Sequence, residues 1–300
     1  MDYETNPPIV ARFTNLVSYK NGRNGAIAER VGAVQFHNFK TADNKLAGME
    51  FSLTEDIEDG WAKIVGGLVV GRSENSDAEL DGLSVGPHGI ITPRTENFSV
   101  EGTSFFNFDF WEDGAALGTC SHCFHGAATD SGARTVTVKS LTFDRSVPKR
   151  IRYQYPFRAI FYDLDGSLTG QSKKSWATPY WKHNEQPECS VSLDQHDGIV
   201  CPRSVQVRRV AFHGYEPGSF QHAELRITRL EPDDEERMAD NGSLEAYLDD
   251  KENYSNVPFK PKLKPSNGWA MPYVTGHRYR IHWGSGLDFT RMKVEVSERW

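Results

Sequence analysis

Residues 161–170 read Phe-Tyr-Asp-Leu-Asp-Gly-Ser-Leu-Thr-Gly and follow the apolar pair Ala159-Ile160. Two carboxylates one residue apart, just past a strand-like run, suit phosphatases that work through an aspartyl-phosphate. There the first Asp attacks phosphorus and the second moves the proton. The same pair offers another chemistry, because Asp163, Asp165 and a nearby carbonyl could hold Ca²⁺. It also offers a purely structural one. Asp and Gly after a strand make a tight turn, and the carboxylates accept its backbone N–H groups.

The surroundings discriminate among these readings. The phosphatase chemistry needs a parallel sheet flanked by helices, with a later Lys and a later acidic pair at strand ends. Here the segment stands mid-chain and no strand–helix alternation follows. Asp233-Asp234 and Asp249-Asp250 do not end apolar strands. The remainder of an EF-hand loop is missing, so a calcium ion would rest on Asp163, Asp165 and a nearby carbonyl alone. A turn at the end of a β region is the expectation, with a cation as the alternative.

Other clusters carry weaker chemistry. Cys120-Ser-His-Cys123-Phe-His125 has zinc-like spacing but lacks a second Cys-x-x-Cys. In an oxidising compartment disulfides are expected instead. Cys189 and Cys201 bracket a loop and could pair, leaving Cys120 and Cys123 to bridge locally or stay reduced. Asn97, Asn241 and Asn253 each open an Asn-x-Ser glycosylation triplet. Asp109, Glu112 and Asp113 beside Trp111, and Asp194 with His196 and Asp197, could supply the paired acids of a glycosidase, or be solvated loop acids. Lys173, Lys174, Trp176, Tyr180 and Trp181, with Lys182 and His183, form a basic–aromatic patch that could contact an anionic glycan or pin a loop. His277, Arg278, Arg280 and His282 are explained by strand alternation.

The elements that would position these groups are strands. Phe13-Thr-Asn-Leu-Val-Ser18 returns 23 residues later as Phe36-His-Asn-Phe-Lys-Thr41, and Asn21 and Gly25 return as Asn44 and Gly48. Six matches at one period, without helical periodicity, predict stacked coils of a right-handed parallel β-helix. Ala62–Val70, Gly89–Thr92, Asn97–Val100 and Thr135–Phe143 continue as short apolar strands. Val205–Phe212, Glu224–Leu230, His277–Trp283 and Met292–Val296 alternate with period two, which predicts antiparallel strands with one wet face. The expected division is therefore 1–202, parallel coils with long loops, and 203–300, a smaller antiparallel β-sandwich-like module, all-β throughout. An opening coil without a cap is expected to meet preceding coils or another subunit.

Composition sets limits. With 41 acidic against 34 basic residues the net charge is −7, and no basic block offsets it, so non-specific nucleic-acid binding is not expected. No run reaches the ~18 apolar residues of a membrane span. The opening MDYETNPP lacks the pattern of a signal peptide, which suits either a cytosolic chain or a piece of a longer one.

Several stretches together carry a family likeness. Phe161–Gly170, Gly118-Thr-Cys-Ser-His-Cys123, His196-Asp-Gly-Ile-Val-Cys-Pro202, Met271–Trp283, Leu287–Met292 and Ser297-Glu-Arg-Trp300 resemble, in this order, the extracellular region of the fibrocystin-L and cell-surface hyaluronidase (transmembrane protein 2) family. The likeness runs over most of the chain from about residue 10. It implies a right-handed parallel β-helix followed by a β-rich module, within a long secreted or membrane-anchored ectodomain. It also implies an extracellular or cell-surface location, cilia and filaments included. Some members are linked to hyaluronan binding or cleavage, but no catalytic motif of theirs maps onto a residue here. The expected function is a structural or adhesive surface module without catalysis and with no cofactor beyond calcium. Its partners would be other segments of a longer chain, neighbouring subunits or a glycan. The alternative is a glycan-binding or glycan-cleaving, hyaluronidase-like enzyme.

Overall fold

A computed structural model describes residues 10–29, 33–52, 62–74, 88–93, 98–110, 114–119, 135–147, 150–153, 159–192, 198–214, 225–232, 234, 254–257, 267–283 and 292–296. The chain divides into two units, the first Met1–Pro179 with Ser190–Arg203, the second Tyr180–Cys189 with Ser204–Trp300. A cut at residue 203 assigns 180–189 to the first unit. The structure groups this segment with the second, where its short 3-10 turn Lys182–Asn184 finds its hydrogen-bond partners. Among the described residues no helix is long and apolar enough to cross a membrane.

The first unit carries β1 (Ala11–Thr14), β2 (Val17–Tyr19), β3 (Asn24–Glu29), β4 (Val34–Ala42), β5 (Ala47–Ser52), β6 (Lys63–Val70), β7 (His88–Ile91) and β8 (Phe98–Phe106). These are followed by β9 (Ala115–Gly118), β10 (Thr135–Lys139), β11 (Thr142–Asp144), β12 (Ile151–Arg152), β13 (Ile160–Asp163), β14 (Ser175–Pro179), β15 (Ser190–Ser192) and β16 (Gly198–Pro202). One sheet runs β1-β4-β6-β8-β10-β13-β14-β16-β15, with β2 beside β4 and β11 beside β8. A second runs β12-β9-β7-β5-β3 and is parallel throughout.

The repeat of the sequence is a pairing register. Phe13 lies opposite Phe36 in the parallel β1–β4 pair, and their rings stack at 5.2 Å. Asn38 Nδ2 donates to Asn15 Oδ1 at 2.7 Å, and Asn21 Nδ2 donates to Asn44 Oδ1 at 2.8 Å, each across 23 residues. Later registers lengthen, Gln35 facing Lys63, Lys63 facing Ser99 and Ser99 facing Thr137. One corner of the layers from β1 to β10 is nevertheless the same. The register aligns Asn15, Asn38, Gly66, Gly102 and Ser140, and all five have φ between 53° and 67°. Asn and Gly tolerate this left-handed backbone best, which is why they dominate the column. Across the second sheet Gly25, Gly48 and Gly89 align. A Cβ on Gly48 would lie 2.5 Å from Thr41 Cγ2 and 2.8 Å from Gly89 O.

The core fills the space between these two sheets. Phe36 of β4 meets Phe51 of β5 edge-on at 5.9 Å, and Phe51 meets Phe98 of β8 at 4.7 Å. Met49, Ile64, Ile90, Val100, Phe105 and Leu117 are fully buried around them. Each such side chain contributes about 2 kcal/mol by leaving water.

The parallel additions stop at β13. Beyond it β14, β16 and β15 pair antiparallel, so the large sheet is mixed and the expectation of parallel coils through residue 202 is corrected. The cause is local: the chain reverses in the Asp163–Gly170 turn and comes straight back along β13. Among the described residues the second unit holds two three-stranded antiparallel sheets. One runs β20-β17-β22, with β17 (Val207–Gly214), β20 (Asn267–Val274) and β22 (Met292–Val296). The other runs β19-β18-β21, with β18 (Leu225–Leu230), β19 (Tyr254–Val257) and β21 (Arg278–Trp283). Trp283 of β21 packs edge-on against Phe212 at 5.4 Å and Trp269 at 5.1 Å, joining the two sheets.

Candidate functional site

Asp163 ends β13 with its side chain fully buried. Oδ1 accepts Gly166 N at 3.0 Å and Asp165 N at 3.4 Å. Oδ2 accepts Leu168 N at 2.9 Å, Thr169 N at 2.8 Å and Thr169 Oγ1 at 3.0 Å. The carboxylate is thus the hub around which residues 164–169 wrap. Gly166 must be glycine, since its φ is +84° and a Cβ would lie 1.5 Å from Gln171 O. Thr169 Oγ1 also meets Ser175 Oγ at 2.6 Å, tying the turn to the returning strand β14. Burial pushes the Asp163 carboxyl above its ordinary range, against the pull of the donors from Thr169, Asp165 and Gly166.

Asp165 serves the preceding layer. Its Oδ2 accepts Ser140 N at 2.8 Å and Ser140 Oγ at 3.3 Å, and its Oδ1 accepts Ser167 N at 3.2 Å. Ser167 Oγ in turn accepts Leu141 N at 3.0 Å. Slight burial raises this carboxyl, but the bonds from Ser167 and Ser140 outweigh it and hold it below the usual range. Arg150 lies near, donating Nη1 to Leu168 O at 2.5 Å and feeling the charge of Asp163.

The carboxylate oxygens here face the positive ends of N–H and O–H groups. A calcium ion would need the same lone pairs and would meet those donors head-on. The Asp163–Asp165 pair as folded does not fit the ion, and among the described residues no group of three His, Cys, Asp or Glu could hold a metal.

The remaining expected sites distribute as follows. Cys189 and Cys201 are both disulfide-bonded. Cys120, Cys123, Asn97, Asn241, Asn253, Trp111, Glu112, Asp113, Asp194, His196 and Asp197 lie outside the described residues. Asp109 is exposed. Of the basic–aromatic patch, Trp176 is buried in β14 and Trp181 is buried beside His183, while Lys173, Lys174 and Tyr180 are exposed. Tyr180 donates its hydroxyl to Glu185 Oε1, and burial together with this acid raises the phenol to about 12. On β21, Arg278 and His282 are exposed and Arg280 is half-buried, and His277 precedes the strand with its ring 3.1 Å from Gln186 Oε1.

A cluster in the second unit gives no sign of itself in the sequence. His183 is buried, its ring nitrogens 2.8 Å from Ser255 Oγ and 3.0 Å from Pro272 O. Asn184 donates to the same Pro272 O at 3.0 Å and accepts Val274 N at 3.2 Å. Tyr273 and Tyr279 surround the imidazole at 5.1 and 5.9 Å, and Tyr279 donates to Val274 O at 2.6 Å. Burial lowers His183 to about 4 despite the Pro272 carbonyl, so the ring is neutral. Both phenols are pushed far up by burial. The partners lie 72 to 90 residues from His183 and Asn184, a separation that no spacing rule reads. A third set joins β17 to β22. Arg209 Nη2 donates to Glu295 Oε1 at 3.2 Å, and His213 Nε2 lies 3.4 Å from Glu295 Oε2. His213 chiefly, with Arg209, holds Glu295 down at about 2.

Fold and sites together define a layered all-β module whose polar clusters fix turns and sheet edges. No family model matches the chain. It is similar to fibrocystin-L of Homo sapiens, 26% identical over 292 residues, which cover 94% of this chain and 6% of that protein. Fibrocystin-L of Mus musculus is 27% identical over 276 residues, 87% of this chain and 6% of that one. Fibrocystin of Canis lupus familiaris is 38% identical over 125 residues, 42% of this chain and 3% of that one. The similarity supports a fibrocystin-L-like family, and the chain spans about 6% of the length of its fibrocystin-L relatives.

Proposed function

We propose that this chain is a non-catalytic structural or adhesive module of an extracellular, fibrocystin-L-like surface protein. Its parallel layers, as far as β13, are turns of a right-handed parallel β-helix, extended by antiparallel strands and followed by a sandwich-like module, and it serves at a cell surface, cilia included. The observation that carries the reading is the use of the acidic turn. Both carboxylates of the Asp-Leu-Asp-Gly segment hold backbone and hydroxyl donors, and Asp165 links one layer to the next. A nucleophile or acid/base pair would need an oxygen facing substrate. Neighbouring layers of a longer chain or other subunits are its partners.

The test is hydrolysis of a panel of polysaccharides including hyaluronan, with and without Ca²⁺, by wild type and by Asp163→Asn. No chain shortening is expected from either, with the variant less stable. Shortening by the wild type that disappears in the variant would replace this reading with an enzyme.

A further inference from the structure

Among the described residues β1, β2 and β3 form one end of the stacked sheets. Among the described residues each of these strands has one neighbour only, β4 for the first two and β5 for the third. The core columns surface here. Phe13 is 48% exposed where Phe36, directly behind it, is 5% exposed, and Leu16 is 38% exposed where Phe39 is 1% exposed. Ile27, exposed where its partner Glu50 is fully buried, extends this end face, and Tyr19 lies beside it. An open strand edge carrying apolar side chains is a template for another strand.

The side chains state what kind. Layer one rests on layer two through a repeated set of contacts: ring on ring at Phe13–Phe36, amide on amide at Asn15–Asn38 and Asn21–Asn44, and glycine against glycine at Gly25–Gly48. Within each layer the same local bonds recur. Asn21 Nδ2 donates to Ser18 Oγ, as Asn44 Nδ2 does to Thr41 Oγ1. Ser18 Oγ reaches Gly25 O, as Thr41 Oγ1 reaches Gly48 O. Layer one therefore presents outward the same residue types that layer two presents to it. The end face continues an interface already built inside the molecule, and its chemistry selects a copy of that interface.

We infer that the face formed by β1, β2 and β3 docks one further 23-residue β layer. That layer places an apolar residue over Phe13, Asn over Asn15 and Asn21, and Gly over Gly25. The glycine is required because a Cβ added at any position of the column would run into the carbonyl of the next layer, 2.5 Å from Gly48 O if placed on Gly25 and 2.8 Å from Gly89 O if placed on Gly48. This partner assignment rests on the structural reading above.

The experiment duplicates residues 11–33 in tandem ahead of residue 11 of the full chain and follows amide hydrogen exchange by peptide. The expected result is that β1–β3 gain roughly tenfold or more in protection, approaching β4. The same extension with Gly25→Val in the added copy is expected to lose that gain. Unchanged exchange in β1–β3, with the added residues exchanging as free chain, would overturn the proposal. Sedimentation of the unextended chain completes the test, with a monomer expected. A concentration-dependent dimer lost on Phe13→Lys would make the occupant a second copy and overturn the assigned partner, while leaving the non-catalytic reading intact. Polysaccharide cleavage would overturn that reading without moving the exchange result.

Discussion

Asp163 in the first unit and His183 in the second are both buried polar side chains that hold a bend, and they do so in opposite ways. Asp163 draws its donors from the residues that immediately follow it, within six positions. Its neighbour Asp165 hands the arrangement to the layer before. His183 collects partners from β19 and β20. The first unit thus satisfies its polar groups locally and by repetition, layer after layer. The second does so by long-range convergence, at His183 and again where Arg209 and His213 meet Glu295. Local bonds survive insertion between layers, as the lengthening registers show. A convergent cluster fails if any contributing strand shifts.

The difference is sharpest in the response to substitution. Asp163→Ala leaves the N–H groups of Gly166, Leu168 and Thr169 without their acceptor inside a buried turn. A loss of about 4 kcal/mol from the first unit is expected in urea unfolding. A loss below about 1 kcal/mol would show that the turn holds without its hub. The second unit responds to acid instead. His183 titrates near 4 folded and near 6.5 unfolded, so its contribution is complete above pH 6.5. It drains as the pH falls toward 4, by about 3 kcal/mol in all. His183→Gln should flatten that slope in unfolding curves followed by tryptophan fluorescence. A slope that persists in the variant would place the acid sensitivity elsewhere.

Smaller effects separate the units further. Asn44→Ala removes the ladder bond to Asn21 and the bond to Thr41, and is expected to cost about 1–2 kcal/mol. Because the ladder is local, its exchange signature should be confined to β2–β5. The smallest effect belongs to Glu295, which is partly exposed. Its carboxyl titrates near 2, so its help to β17–β22 pairing is present above the ordinary carboxylate range and is lost as pH falls toward 2. Glu295→Gln should remove that acid limb and show weak salt dependence, with a shift in midpoint small beside that of Asp163→Ala.

How much was legible in the sequence follows the same divide. The first two layers could be read because nothing is inserted between them: Phe13 over Phe36 and Asn15 over Asn38 are visible as a period and are paired as read. From the third layer onward the strands could still be read, as Ala62–Val70, Gly89–Thr92, Asn97–Val100 and Thr135–Phe143, but their register could not. The corner column changes from Asn38 to Gly66, Gly102 and Ser140, and the intervals stretch, so the conserved element is a backbone angle with no residue type attached to it. The turn at Asp163 was legible as a turn because Asp and Gly carry that chemistry on their own, whereas its antiparallel return was hidden, since an apolar strand does not state the direction of its neighbour. Nothing near His183 announces Ser255, Pro272 or Tyr279. The glycan-contact reading of Trp176 and Trp181 rested on residue type, and burial is a property of tertiary packing that residue type does not fix.

The column of left-handed corners has a mechanical consequence. Successive layers are joined by strand pairing, and at the first corner by the Asn15–Asn38 bond, and these bonds lie along the pulling direction when the stack is drawn out from its β1 end. Such bonds open one after another, not together. Stretched from that end, the first unit should peel as a series of discrete steps, the first releasing a 23-residue layer, or about 80 Å of chain. Steps should lengthen as the intervals between corners grow. The lengths let out under load would then be set by the spacing of the left-handed corners, first of all the 23 residues from Asn15 to Asn38.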